Sequence, residues 1–246
     1  MTAYDALHAG IISTRAPLSA MSDPTPFLGI VMLDTTFPRP LGDIGQAATW
    51  ARAGIPVRYL RVSGATPERV VMQADPALAQ PFVQAMQTLL AQGAGLISTS
   101  CGFLAAYQGL FERSLNGPVL SSSLLQCAGL RNPGILTFDA RAITPAVLRG
   151  ADVPQDTPIE GLTPDCELHR VILNNESSLD EAAAQADVVG AALRLVERHP
   201  EVEHIVFECT NLPPYRAAVE AATGRPVHDI ETLLIARWRE RFAPPR

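Results

Sequence analysis

The sequence predicts an α/β protein of two similar doubly wound parallel-sheet domains, related by pseudo-twofold symmetry, with an active site in the cleft between them. Three observations predict this. Short apolar runs of strand length alternate with stretches of helical spacing from residue 28 onward, the pattern of helices packed on parallel sheets. That pattern is written twice. Gly134-Ile-Leu-Thr-Phe-Asp139 mirrors Gly29-Ile-Val-Met-Leu-Asp34 at a spacing of 105 residues, while Cys101 to Cys209 and Pro118 to Pro226 are each spaced by 108. Ordered landmarks at nearly one period mark internal duplication. Finally, Cys101 and Cys209 hold the same place in both repeats, directly after an apolar run and before a helical one.

The elements follow in order. Residues 1–26 carry Ser, Thr, Pro and Asp and a second methionine, Met21, and read as a leader outside the core. Leu28–Leu33 is a short continuous apolar run, suited to a strand buried on both faces. A helix is expected over Gly42–Ala53, then a second strand at Val57–Val62. Pro76–Gln92 has helical spacing in Leu78, Phe82, Met86, Leu89 and Leu90. Gly95–Ser98 is a third strand that ends at the first cysteine. Leu104–Leu115 reads as a helix and Pro118–Ser121 as a short fourth strand. The second unit restarts at Gly134–Asp139, continues with a strand at His169–Leu173 and a long helix at Leu179–His199, and reaches the second cysteine through His204–Glu208. The join lies near 126–133, around Gly129 and Pro133. The domains are therefore 27–128 and 129–230, followed by a C-terminal helix within 231–246 that can pack back on the first domain.

Composition removes several function classes. All 19 basic residues are arginine. Without lysine there is no Schiff base for pyridoxal phosphate or for direct amine catalysis, and no Walker A lysine. The formal charge of -6 and the separation of Arg237, Arg239 and Arg241 by Glu240 argue against a nucleic-acid partner. The N-terminus has no basic segment followed by an apolar run, and no apolar run approaches the ~18 residues of a membrane span. A cytoplasmic protein with free thiols and no membrane partner is the expectation.

A cysteine at the carboxyl end of a parallel strand stands where such sheets bind ligands, beside the free N–H groups of the next helix. Those groups favour the thiolate. Two such thiols across a cleft suit proton transfer: one removes a proton from one face of a carbon and the other returns it on the opposite face. Cys127, in the apolar stretch Leu124-Leu-Gln-Cys-Ala-Gly129, reads as a buried hydrophobe, and Cys166 as a loop residue without a role. No Cys-x-x-Cys or His spacing suggests a metal. The loops at the strand ends add hydroxyls and amides. The candidate substrate-binding set is Asp34, Thr35, Thr99, Ser100, Gly102, Ser122, Thr210 and Asn211, with Cys101 and Cys209 catalytic.

Ser98-Thr-Ser-Cys-Gly-Phe103, Pro118-Val-Leu-Ser-Ser-Ser-Leu-Leu125 and Glu208-Cys-Thr-Asn-Leu-Pro213 resemble the aspartate/glutamate/hydantoin racemase superfamily, over roughly residues 27–233. The resemblance implies two α/β domains, no cofactor, Cys101 and Cys209 as proton carriers, substrate-carboxylate contacts from Asp34, Thr35, Thr99, Ser100 and Thr210, and commonly a homodimer. Departures narrow it. The first loop is Asp34-Thr-Thr-Phe37 where glutamate racemases carry Asp-Ser-Gly. Asn211 stands where they carry a histidine and aspartate racemases a glutamate, and asparagine does not titrate. Cys209-Thr-Asn-Leu212 is similar to the maleate isomerase branch. Arylmalonate decarboxylases keep only the second cysteine, so Cys101 argues against that activity.

The expected function is a cofactor-independent racemase or epimerase of an amino acid or related small carboxylate, aspartate- or glutamate-like. Two alternatives stand beside it. One is a maleate-isomerase-like cis–trans isomerase working by thiol addition. The other is a non-catalytic two-lobed small-molecule binding protein.

Overall fold

A strand buried on both faces needs neighbours on both edges, and the first apolar run has them. In the computed structural model, which describes residues 25–242, Phe27–Met32 forms β1. It lies between β2 (Val57–Arg61) and β3 (Ala94–Thr99), and β4 (Val119–Leu120) flanks β3. All pairings are parallel, with Ile30 opposite Tyr59 on one side and Ser98 on the other. Of the leader, residues 1–24 lie outside the described residues.

The second unit repeats this order. β5 (Pro133–Thr137) lies between β6 (Ile159–Gly161) and β7 (His204–Phe207), with β8 (Val227–His228) beyond β7. In each sheet the first strand is central, and the third carries a cysteine just past its carboxyl end.

Helices differ from the sequence expectation where local patterns mislead. His169–Leu173 is not a strand but part of helix α5 (Glu167–Asn174). Leu168, His169, Val171 and Ile172 are its buried residues, a spacing that follows one helical face. The true partner strand, β6, has three residues, too few to show a period. The expected helix at 42–53 shortens to α1 (Ala47–Arg52), because Gly42 turns the chain with φ +108° and Asp43 caps the loop. After Cys101 the chain first makes a 3-10 turn (Gly102–Tyr107) and then α3 (Gln108–Ser114). α2 (Ala79–Ala91), α6 (Glu181–Arg198), α7 (Arg216–Thr223) and α8 (Ile230–Phe242) occupy expected positions. α4 (Pro145–Gly150) is additional; Thr144 caps it and Pro145 opens it, a standard helix start.

The first sheet is covered on both faces. Leu28, Ile30 and Leu96 pack with Ile44, Trp50 and the α8 residues Ile230, Leu233, Leu234 and Trp238. Trp50 is fully buried, and its indole N–H donates to the Ile44 carbonyl at 2.8 Å. On the other face Phe27, Val31 and Ile97 meet Phe82, Met86 and Leu89 of α2. That core continues without a break into the second sheet through Ile135, Leu136 and Phe207 and on to Val188 and Leu195 of α6. Gly150 shows how closely the halves approach: a Cβ there would run into the carbonyl oxygen of Ala105, in the turn that follows Cys101.

Candidate active site

The carboxyl ends of β3 and β7 bring the two cysteines into one pocket. Cys101 and Cys209, 6% and 7% exposed, line about 370 Å³ of space. The loops that carry them are tied together. The Thr210 hydroxyl donates to the Ser100 carbonyl at 2.8 Å, and the Ser123 hydroxyl donates to the Phe207 carbonyl. These bonds fix the loops at the ends of the two sheets in one register.

A polar chain runs back from Cys209. Its thiol donates to Asn211 Oδ1 at 3.6 Å, and Asn211 Nδ2 donates to Asp43 Oδ2 at 2.6 Å. Asp43 Oδ1 accepts from Arg39 Nη1 at 2.8 Å, while Arg39 Nη2 donates to the Thr35 hydroxyl at 2.9 Å. Arg39 also lies 4.4 Å from the centre of the Phe37 ring. Asp43 is 1% exposed, and a carboxylate so buried persists only when paired and hydrogen-bonded. Arg39 supplies the charge and Asn211 the second donor.

Both thiols are pushed up, first by burial and then by the charge of Glu208. They are not equivalent. The N–H groups of Phe103 and Leu104 favour the Cys101 thiolate, whereas Cys209 receives only the N–H of Asn211 and is opposed further by Cys101 and Asp43. Cys101 is therefore the easier of the two to ionise. Glu208 is fully buried. Burial raises its carboxyl to about 8, against the Thr137 hydroxyl, which donates to Oε2 at 2.7 Å, and the Phe138 N–H.

No family model matches the chain. By sequence it is similar to dimethylsulfoniopropionate lyase 7 of Emiliania huxleyi (strain CCMP1516), 30% identical over 224 residues, which cover 84% of this chain and 64% of that protein. The chain thus spans less than two thirds of that relative's length. By structure it is similar to allantoin racemase from Pseudomonas fluorescens, with a TM-score of 0.58 and 16% identity over 87% of this chain and 90% of that one. It is also similar to glutamate racemase from Thermus thermophilus, with a TM-score of 0.53 and 21% identity over 89% and 82%. The chain has the fold of the aspartate/glutamate/hydantoin racemase superfamily.

Within that superfamily fold the predicted residues divide. Thr35, Ser100, Gly102, Thr210 and Asn211 line the pocket with both cysteines. Asp34, Thr99 and Ser122 do not. Asp34 turns to the Gly64 N–H at 2.8 Å and to Arg61 at 3.5 Å. The Thr99 hydroxyl bonds to the carbonyls of Cys101 and Ser121, and Ser122 caps the turn that follows it through the Leu124 N–H. Their polar atoms hold backbone in place. Cys127 is 2% exposed in the core, and burial raises its thiol to about 12. Cys166 is buried at the start of α5. His228 lies against His204 at 3.1 Å and does not line the pocket.

Four pocket-facing or supporting residues escaped the sequence reading: Arg39, Asp43, Phe138 and Glu208. Glu208 carried a signal, an acid at the end of an apolar strand directly before a cysteine. Among the described residues no cluster of three or more His, Cys, Asp or Glu side chains is placed to hold a metal ion.

Proposed function

We propose that this pocket removes a proton from the carbon beside a carboxylate, without a cofactor, and that its substrate carries a sulfonium group on the next carbon, so that the reaction is elimination. The observation that carries this reading is the composition of the pocket wall. Among the described residues, Cys101 and Cys209 face a space lined by one basic residue, Arg39, by the polar groups of Thr35, Ser100, Glu208, Thr210 and Asn211, and by an apolar wall of Phe37, Phe103, Phe138, Val71 and Ile172. Phe138 is held by stacking on His169, with ring centres 4.4 Å apart. A sulfonium has no N–H donors and is attracted by aromatic faces. Similarity to a dimethylsulfoniopropionate lyase points the same way.

The Cys101 thiolate takes the proton from the carbon next to the carboxylate. The freed electron pair forms the carbon–carbon double bond, and dimethyl sulfide leaves with the electrons of the broken C–S bond. Acrylate remains, and Cys101 later returns its proton to solvent. The sulfonium group of the substrate favours thiolate formation, because an opposite charge in a dry pocket acts strongly on an ionising neighbour. Racemisation of a small carboxylate is the second reading; the pair of buried thiols favours it, since elimination uses one base.

The deciding experiment follows dimethylsulfoniopropionate by proton NMR in deuterated water, beside a panel of amino acids in both enantiomers and maleate. Release of dimethyl sulfide and acrylate supports elimination. Deuterium at the α-carbon of an amino acid, with no sulfide released, replaces it with racemisation.

Arg39 has a defined task in this reading, to meet the substrate carboxylate. Arg39→Lys keeps the charge beside Asp43 but loses the planar fork. The expected result is a KM raised about 10-fold or more with kcat largely kept, since a hydrogen bond to a charged group contributes about 1.5–3 kcal/mol. An unchanged KM in steady-state kinetics would put the carboxylate elsewhere.

A further inference from the structure

We infer that Glu208 acts as a neutral carboxylic acid in this site, offering the O–H of Oε1 to the substrate carboxylate beside the cysteine pair, and is the hydrogen-bond donor that stabilises the charge developing in the reaction. The inference rests on the proposed proton removal next to a carboxylate. Glu208 is fully buried and lines the pocket. Its two oxygens have different surroundings. Oε2 accepts from Thr137, whereas Oε1 is buried and has no hydrogen-bond partner. Oε1 also lies so close to Gly102 that a Cβ there would overlap it. The unpartnered oxygen is therefore directed at the residue that follows Cys101, while its own backbone leads into Cys209.

A buried polar oxygen without a partner is costly and rare. It is explained if a ligand completes it. As an ionised group Glu208 would place a charge beside both thiols and oppose their ionisation. As an acid it leaves the thiols free to ionise and offers one O–H donor. An apolar site that keeps a carboxylic acid neutral at pH 7 can use it to donate to oxygen as charge develops. Here the acceptor is a carboxylate oxygen of the substrate. The O–H stays bonded to Glu208 and no net transfer is needed; the proton removed from carbon goes to the Cys101 thiolate.

The titratable groups that face Glu208 are Cys101, from the β3 side, and Cys209, which follows it. Asp43 acts on Cys209 and lies behind Asn211. The β5 side contributes the Thr137 hydroxyl and the Phe138 N–H. Asp139, next along, is bonded to Arg141 and His169. With the Glu208 carboxyl raised to about 8, the donor is present at neutral pH and is lost as pH rises through that value.

The test uses the full chain in three forms. In wild-type protein labelled with ¹³C at the glutamate side-chain carboxyl, one resonance should titrate near pH 8 and be missing from Glu208→Gln. With dimethylsulfoniopropionate, wild-type kcat/KM should fall about 10-fold per pH unit well above 8. Glu208→Gln, which keeps an N–H donor and cannot ionise, should retain activity within about 10-fold at pH 7 and lose the alkaline fall. Glu208→Ala should lose about 10²-fold, the usual cost of one such donor. A Glu208 resonance that titrates below pH 5, or a folded Glu208→Gln that is inactive at every pH, overturns the inference. Absence of wild-type turnover with a resonance near 8 instead counts against the substrate proposed above, and leaves the buried acid in place.

Discussion

Cys101→Ala is expected to lower kcat by about 10³-fold, within the range that one positioned base contributes, while Cys209→Ala costs about 10-fold. The asymmetry follows from the local fields. Cys101 opens a 3-10 turn whose Phe103 and Leu104 N–H groups stabilise its thiolate; Cys209 has one such donor and faces more negative neighbours. Elimination needs one base on one face of the substrate carbon. Under the proposed elimination the second thiol contributes shape and polarity to the pocket wall. Steady-state kinetics of the two variants on dimethylsulfoniopropionate, with circular dichroism to confirm folding, measures both losses. Equal losses of about 10³-fold would mean that both thiols carry protons, as racemisation requires, and would replace elimination with racemisation.

Gly102→Ala is expected to cost about 10²-fold in kcat and about 1–3 kcal/mol in stability. A Cβ at this position meets the carbonyl oxygen and Oε1 of Glu208 far inside van der Waals contact. The obstacle is largely backbone, so relief requires one cysteine loop to move away from the other. Overpacking of a closed interior costs about this much, and a displacement near 1 Å at reacting groups can cost about 10²-fold in rate. Thermal melting and kcat together test the argument. A lowered Tm with unchanged kcat would show that the loops can separate without disturbing the chemistry.

The sequence revealed the frame of this site better than its contents. β1, β5 and the two cysteine loops were legible because a parallel strand buried on both faces is a plain apolar run, and because each run recurs about 105–108 residues later. α5 was misread for a local reason. Over five residues, His169 to Leu173, strand and helix patterns overlap, and only the burial of Leu168 with Val171 and Ile172 separates them. The Arg39–Asp43–Asn211 chain was illegible for a different reason. Asn211 and Asp43 are 168 positions apart, and nothing near either residue announces the other. Asp34, Thr99 and Ser122 illustrate the converse. Polar residues at strand ends are as apt to hold turns as to meet ligands, and these three bond to neighbouring backbone.

The apolar core that runs unbroken from Val31 through Ile135 and Phe207 to Leu195 makes the two halves a single cooperative unit, and the pocket is sunk at their seam. A molecule held there would touch residues of both halves at once. A ligand that binds the folded chain and not the unfolded one stabilises it by mass action. Occupancy at a hundred times the dissociation constant would add about 2.7 kcal/mol to the free energy of unfolding the whole chain. The shift in melting temperature therefore reports on ligands independently of turnover, and a compound that raises it need not be one that reacts.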